Sequence, residues 1–316
     1  MSVGEQRPSG PAPVRKHRSF GTGRSYRHAI VGYVMVLPTM AVLLAFMYYP
    51  ALQALTFSFT DWNGIGIPSF VGLANYVSAV QDPNFVAAVV HVFIWMGVGL
   101  LIGLVPAFIV AELIFSLTNS RHQALYRSLF VLQMGIPILV MLMMWGFIYQ
   151  PNVGLLNSLL NAVGLSGLAH DWLGNPHLAL ASLMLMGLPW VSGFNLLVYS
   201  AGLHRIPPEV LEAARLDGVS SLKRTWLIDL PLVLSETRTL TILILISVVQ
   251  IVTIPLVLTQ GGPVNATMMP GLYVYVTAFT EGRMAYSLAI GSFVFVVTMG
   301  LTLLTFRFVK PSTEYR

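Results

Sequence analysis

Six stretches of apolar residues, each about as long as a helix that crosses lipid and each closed by polar or charged residues, set the pattern of this chain. They run from about Ala29 to Ser58, Phe85 to Ala111, Leu129 to Tyr149, His177 to Leu203, Leu240 to Leu258 and Met284 to Phe306. At about 1.5 Å of rise per residue, a hydrocarbon core of roughly 30 Å needs about 20 such residues. The pattern predicts an all-α polytopic membrane protein with six transmembrane helices. Gly261-Gly262-Pro263 and a short segment separate the last two stretches. Prolines stand within the first five (Pro38, Pro50, Pro106, Pro137, Pro189 and Pro255). In lipid a proline is tolerated where neighbouring helices satisfy the carbonyl it frees, so these predict packing kinks. No internal repeat is visible, broken-helix repeats included.

Composition narrows the class. Of 316 residues, 56% are apolar and 9% charged, against about 25% charged in soluble domains, and the mean hydropathy is +0.76. The absence of cysteine excludes disulfides and thiolate metal sites. The net charge of +5 does not mark a nucleic-acid binder, because the basic residues sit in short loops beside the apolar stretches. Of 17 lysines and arginines, all but Arg283 precede the first stretch, separate the second from the third or the fourth from the fifth, or follow the sixth. The positive-inside rule therefore predicts that both termini are cytoplasmic and that loops with Asp61, Asp82, Asp171 and Glu281 face outward. An even number of spans requires the same.

Residues 1–28, rich in Gly, Pro, Ser and basic side chains, read as a disordered cytoplasmic tail. A transmembrane domain over 29–310 and a short tail over 311–316 complete the chain. A cleaved signal peptide is set aside because the first apolar run is too long and Pro38 and Pro50 interrupt it.

The longest loop on the basic side, 204–231, carries the most specific pattern. Pro207-Pro208 with Glu209 suits a helix start, and Val210, Ala213 and Ala214 fit one apolar face. Asp217-Gly218 supplies a turn in which Gly can take positive φ. Ser220 suits an N-cap for a second short helix with Leu222 and Trp226 on one side. Glu212-Ala213-Ala214, Asp217-Gly218 and Ile228-Asp229-Leu230-Pro231 together closely resemble the EAA loop of binding-protein-dependent ABC importer permeases. That resemblance implies coupling helices, with Glu212, Ala213, Ala214, Asp217, Gly218 and Trp226 set against an ATPase subunit. Trp226 stands where many relatives carry Phe.

Leu258-Thr259-Gln260-Gly261-Gly262-Pro263, with Thr267, Tyr273, Tyr275, Ala278 and Phe279, is similar to carbohydrate-type permeases of the first-subunit class. Tyr49-Pro50, Phe57-Ser58-Phe59 and Gly72-Leu73-Ala74-Asn75-Tyr76 fit that class too. Val252 and Thr253 depart from the aromatic residue and Asp that relatives often carry. The resemblance implies a bacterial or archaeal cytoplasmic membrane, a second homologous permease, two ATP-binding subunits that hold ATP and Mg, and an extracytoplasmic solute-binding protein. This chain has no P-loop and is expected to bind no cofactor or metal and to catalyse no reaction itself. The resemblance also places a solute site on the fourth and fifth spans. Trp190, Asn195, Ser247, Gln250 and Thr253, neutral hydrogen-bonding groups and an aromatic face, are the candidates for a sugar or similar neutral solute.

Two rivals remain on the sequence. An ion-coupled secondary transporter is disfavoured because the span interiors lack Asp, Glu, Lys and Arg, with Glu112 at the end of the second. A membrane-embedded enzyme is disfavoured because no His-Glu-x-x-His occurs and His91, His170 and His177 lie near outer ends.

Overall fold

The computed structural model describes residues 22–188 and 191–308. Every regular element among them is helical, with one isolated bridge between Thr60 and Phe70. The chain divides into two units after Gln53. The first contains α1, Thr22–Leu43, which passes through a π turn at Leu44–Tyr48 into the start of α2, Tyr49–Phe57, within which the division falls. The π turn precedes Pro50, whose ring offers no N–H to the preceding turn and crowds the carbonyl of Phe46. Helix α1 begins at Thr22, inside the stretch that the sequence assigns to an irregular tail. A polar, basic turn can remain helical beyond the hydrocarbon because water satisfies its N–H groups. The rest of that expected tail, 1–21, and the tail at 311–316 lie outside the described residues.

The second unit holds α3 (Ala74–Gln81), α4 (Pro83–Phe115), α5 (Ser120–Leu132), α6 (Ile138–Ile148), α7 (Leu155–Ala162), α8 (Ala179–Leu185) and α9 (Gly193–Leu203). It continues with α10 (Pro208–Leu216), α11 (Ser221–Arg224), α12 (Leu230–Leu232), α13 (Leu234–Val249), α14 (Thr253–Leu258), α15 (Pro270–Tyr275) and α16 (Met284–Phe308). Among the described residues, three helices are long and apolar enough to cross a membrane: Ala29–Phe57, Pro83–Phe115 and Met284–Arg307. Two bent pairs bring the number to five if each is one span. Ser120–Gly135 meets Ile138–Ile148 at 90°, and Ser221–Leu232 meets Leu234–Val249 at 67°.

The third, fourth and fifth apolar stretches are thus not continuous helices, contrary to the unbroken spans expected from hydropathy. Gly135 and Pro137 divide the third, and in the fourth α8 ends at Leu185, with Gly187 at φ +97° after it, and α9 begins only at Gly193. A gap at 250–252 divides the fifth. Hydropathy registers the length of an apolar run, and a few apolar residues in a non-helical conformation leave that length unchanged.

Helix α4, 33 residues long, is the centre of the second unit and packs against α9, α13, α15 and α3. Near the basic loops, Ala107, Phe108 and Ala111 meet Leu196, Tyr199 and Leu240. Toward the other end, Phe85 and Ala88 meet Leu272, Tyr273, Tyr286 and Ile290. Lipid tails are as apolar as these side chains, so close packing and hydrogen bonds hold the helices together more than burial from water does. Gly103 shows the closeness: a Cβ there would lie 2.7 Å from Cδ1 of Ile244 and 3.4 Å from Nδ2 of Asn195. The breaks in the third and fourth stretches are also joined. The Gln133 amide donates to the carbonyl of Val191, and a Cβ on Gly193 would stand 2.6 Å from the carbonyl oxygen of Phe130.

Candidate functional site

Loop 204–231 folds as a helix, a turn and a second helix. Pro207 caps α10 with Pro208 in its first turn, and Glu209 lies where a carboxylate meets the positive end of the helix dipole. Gly218 takes φ +67°, and its N–H donates to the carbonyl of Arg215 at 3.1 Å while that of Val219 donates to Ala214 at 3.0 Å. These bonds end the helix in the manner of a left-handed glycine cap. Ser220 precedes α11 in an extended conformation, as an N-cap does, but its side chain makes no capping bond. A π turn at Thr225–Asp229 follows and leads into α12, where Pro231 cannot supply an N–H to Leu227.

The inward face of α10 consists of Val210, Leu211 and Ala214, with Ala214 only 5% exposed, while Glu212 and Ala213 face outward. The sequence pairs Ala213 with Ala214 on one surface. At about 100° per residue, a face centred between Val210 and Leu211 takes in Ala214 and leaves Ala213 outside it. Asp217 is exposed. Trp226, 64% exposed, and Leu216, 89% exposed, join Leu222 and Leu227 as large apolar side chains left uncovered on this polar loop.

Under the loop lies an ion cluster that the sequence reading did not assign. Arg224 donates from Nε to Oδ2 of Asp229 at 2.8 Å and from Nη2 to Oε1 of Glu112 at 2.9 Å. Thr225 Oγ1 donates to the same Glu112 oxygen at 3.2 Å. The guanidinium lies 5.9 Å from the centroid of the Phe115 ring. Asp229 is fully buried and Glu112 nearly so. Close by in sequence, Arg205 pairs with the buried Glu236, which tucks against Gly202. The signal was present: a carboxylate next to an apolar run is retained when it has a partner.

The candidate solute residues separate into two groups. Ser247, Gln250 and Thr253 are exposed and flank the gap between α13 and α14, and Ser247 donates to the carbonyl of Ile244 at 2.9 Å. Asn195 is buried, and its Nδ2 donates to the carbonyl of Gly103 at 2.9 Å, one turn before Pro106 of α4. The structure does not bring Asn195 onto the exposed face with the other three. Trp190 lies outside the described residues.

A family model described as "Binding-protein-dependent transport system inner membrane component" matches residues 99–311, from the middle of α4 through the loop and α16. The chain belongs to this family of inner membrane transport components. It is similar over its length to the probable ABC transporter permease protein YurN of Bacillus subtilis strain 168, at 29% identity over 91% of this chain and 99% of that one. The sn-glycerol-3-phosphate transport system permease protein UgpA of Yersinia pseudotuberculosis is 30% identical over 90% of this chain and 95% of its own length. In fold the chain is similar to one in the crystal structure of a bacterial alginate ABC transporter in complex with alginate pentasaccharide-bound periplasmic protein. The TM-score is 0.80 at 21% identity, covering 92% of this chain and 99% of that one. The chain is therefore a multi-pass membrane component, and its relatives are named as permeases.

At the end of the permease away from the basic loops, Asp82 caps α4. It accepts at Oδ2 from the hydroxyls of Tyr273 (2.5 Å) and Tyr286 (2.7 Å) and at Oδ1 from Asn84 N–H (2.9 Å). Burial pushes its carboxyl up, but bonds from Tyr273, Tyr286 and the Asn84 and Phe85 N–H groups outweigh this and hold it below the usual carboxylate range. The Gly-Gly-Pro segment folds beside it. The Thr267 hydroxyl lies 2.7 Å from that of Thr259 and donates to the carbonyl of Gly262 at 2.7 Å. His91 lies within 2.9 Å of the Met268 carbonyl. Of the residues that carry the carbohydrate-type resemblance, Tyr273 packs against Phe85 of α4 and Thr267 is buried against Thr259 and Gly262, while Tyr275 and Phe279 are exposed.

Proposed function

We propose that this permease is one of two homologous membrane subunits of an ATP-driven ABC importer for a sugar or similar neutral polyhydroxylated solute. Six spans cross the bacterial or archaeal cytoplasmic membrane. Two of them are α1–α2 and α4; three are broken, as α5–α6, α8–α9 and α13–α14; and the sixth is α16. Both termini and the 204–231 loop are cytoplasmic. The α10–α11 pair acts as coupling helices on an ATP-binding subunit, two of which hold ATP and Mg, and a binding protein delivers solute from outside. The observation that carries this reading is that Leu216, Leu222, Trp226 and Leu227 are large apolar side chains left uncovered on a polar loop, with Glu212 also exposed on α10. A subunit seated there would cover them.

The neutral-solute assignment rests on Ser247, Gln250 and Thr253, exposed beside a helix break in a segment, 240–258, without a charged residue. A break leaves backbone carbonyls as well as side chains able to bond hydroxyl groups. Relatives are named for sn-glycerol-3-phosphate transport, and both that cargo and sugars carry hydroxyls. The absence of a cation from this segment favours the uncharged class. For a secondary transporter, the buried carboxylates Glu112, Asp229 and Glu236 sit at helix ends and are paired with arginines, away from mid-membrane.

Uptake of radiolabelled sugars and of sn-glycerol-3-phosphate by cells carrying the complete transporter tests the cargo. Gln250→Leu with Thr253→Val is expected to lower sugar uptake at least tenfold with the ATP-binding subunits still attached. Unchanged rate and selectivity would remove this site. Uptake that survives ATP depletion but stops when the proton gradient is collapsed would favour the rival transporter.

A further inference from the structure

Two routes lead from the 208–232 segment into the membrane. One is the chain itself, through α12 into α13, but that path bends by 67° at Val233 and breaks again at 250–252. A push applied at α11 can be absorbed at either place. The other route is α4. It is one helix from Pro83 to Phe115, about 50 Å at 1.5 Å per residue. Its single internal proline, Pro106, is flanked by the Asn195 bond to Gly103 and by packed Ala107 and Phe108. No main-chain segment runs directly from α11 to α4; the Arg224 side chain bridges them, with a longer bond from neighbouring Thr225 to the same Glu112 oxygen.

We propose that Arg224 is a positioning residue of the transport cycle, clamped between Glu112 on α4 and Asp229 in the π turn, which passes movement of the α10–α11 pair to α4. The proposal rests on the coupling reading of that pair. The geometry suits a clamp that moves as one body. The guanidinium fork engages both carboxylates and the ring of Phe115 lies nearby, so the arginine has fixed partners on each element. The two carboxylates share this one cation, and Glu112 Oε2 and Asp229 Oδ1 are buried with no hydrogen-bond partner. Separating α11 from α4 would strand buried negative charge, which makes parting them costly and joint movement the cheaper course. At its far end α4 is held just as specifically, by Asp82 on Tyr273 of α15 and Tyr286 of α16. Movement at Glu112 is thereby delivered to the side on which the binding protein docks.

The test uses the complete purified transporter in lipid vesicles. Its readouts are attachment of the ATP-binding subunits, the ratio of hydrolysis with and without loaded binding protein, and uptake. Arg224→Gln and Glu112→Gln are expected to retain the ATP-binding subunits but to lower the stimulation ratio at least fivefold and uptake at least tenfold. The exchange of both, Glu112→Arg with Arg224→Glu, is expected to recover a third or more of the stimulation. A fold-stabilising role alone would leave the ratio in assembled complexes unchanged. Should Arg224→Gln fail to reach the membrane, Arg224→Lys, which keeps the charge but not the fork, is expected to lower the ratio severalfold. Wild-type stimulation in these variants would overturn the proposal. Loss of subunit attachment in parallel with stimulation would overturn it too, since Arg224 would then be a docking residue. If the unmodified chain retains no ATP-binding subunit, the coupling reading itself fails, whatever Arg224 does.

Discussion

Gly218 separates backbone conformation from packing. Its φ of +67° is one that β-branched residues rarely adopt, yet no atom lies within 4 Å of where a Cβ would stand. The cost of Gly218→Val is therefore conformational, about 1–3 kcal/mol, and the turn is expected to redirect α11. Uptake should fall at least tenfold in the valine variant while Gly218→Asn, which tolerates positive φ, keeps most of it. Equal activity in both would show that the turn is not needed. This residue was legible in the sequence because Asp-Gly after a helical pattern has a definite backbone meaning. Asn195 was not: a polar side chain in an apolar stretch serves a solute or a neighbouring carbonyl equally well, and only the bond to Gly103 distinguishes them. Asn195→Leu is expected to cost about 0.6–2 kcal/mol, seen as a lower thermal midpoint in detergent, with the KM for solute unchanged. A raised KM at unchanged stability would return Asn195 to the site.

Asp82 gives a pH dependence of defined sign. Its folded carboxyl is held below the ordinary range, so at low pH the unfolded chain binds more protons than the folded one. The stabilisation is complete above the ordinary value of about 4 and is lost as pH falls through the depressed folded value. Thermal midpoints of the purified protein should fall as the pH drops below about 4. Asp82→Asn should start lower and show a flatter slope over that window. A wild-type slope in the asparagine variant would contradict this role.

Among the elements, α10 was predicted within its proline start and glycine end, because caps and turns are local chemistry. The side of α10 that faces inward was misassigned at one position, since the periodicity of three small residues leaves a face free to rotate. The consequence is a specific contrast. Ala213→Asp, on the outer face, is expected to weaken attachment of the ATP-binding subunits with the membrane fold intact. Ala214→Asp, placing a carboxylate at a site only 5% exposed, is expected to reduce the amount of folded protein. Attachment measured by co-purification and folded yield measured by size-exclusion chromatography separate the two. The broken helices were illegible for a different reason. Pro137, Pro189 and Pro255 announced strain, but whether a proline bends a helix or ends it depends on neighbours such as Gln133 and Gly193 that come from elsewhere in the chain.

For the whole molecule, charge bias and hydropathy carried the membrane class and the orientation expected of the loops, and the spacing of the 204–231 motif carried the family. Those signals lie along the chain. The Glu112–Arg224–Asp229 cluster joins residues from distant segments and became visible only when α4 and α11 were placed together. In the proposed importer, the 208–232 segment seats an ATP-binding subunit on the cytoplasmic face. Since the chain has no cysteine, a single photoreactive residue or cysteine can be placed at will, and Trp226, large, apolar and 64% exposed on the loop, is a suitable position. A photoreactive side chain at Trp226 in native membranes is predicted to trap the nucleotide-binding subunit of the transporter, with less trapping in Gly218→Val. Failure to trap that subunit, together with labelling of a cysteine at Ser220 by an impermeant reagent added outside intact cells, would contradict the account.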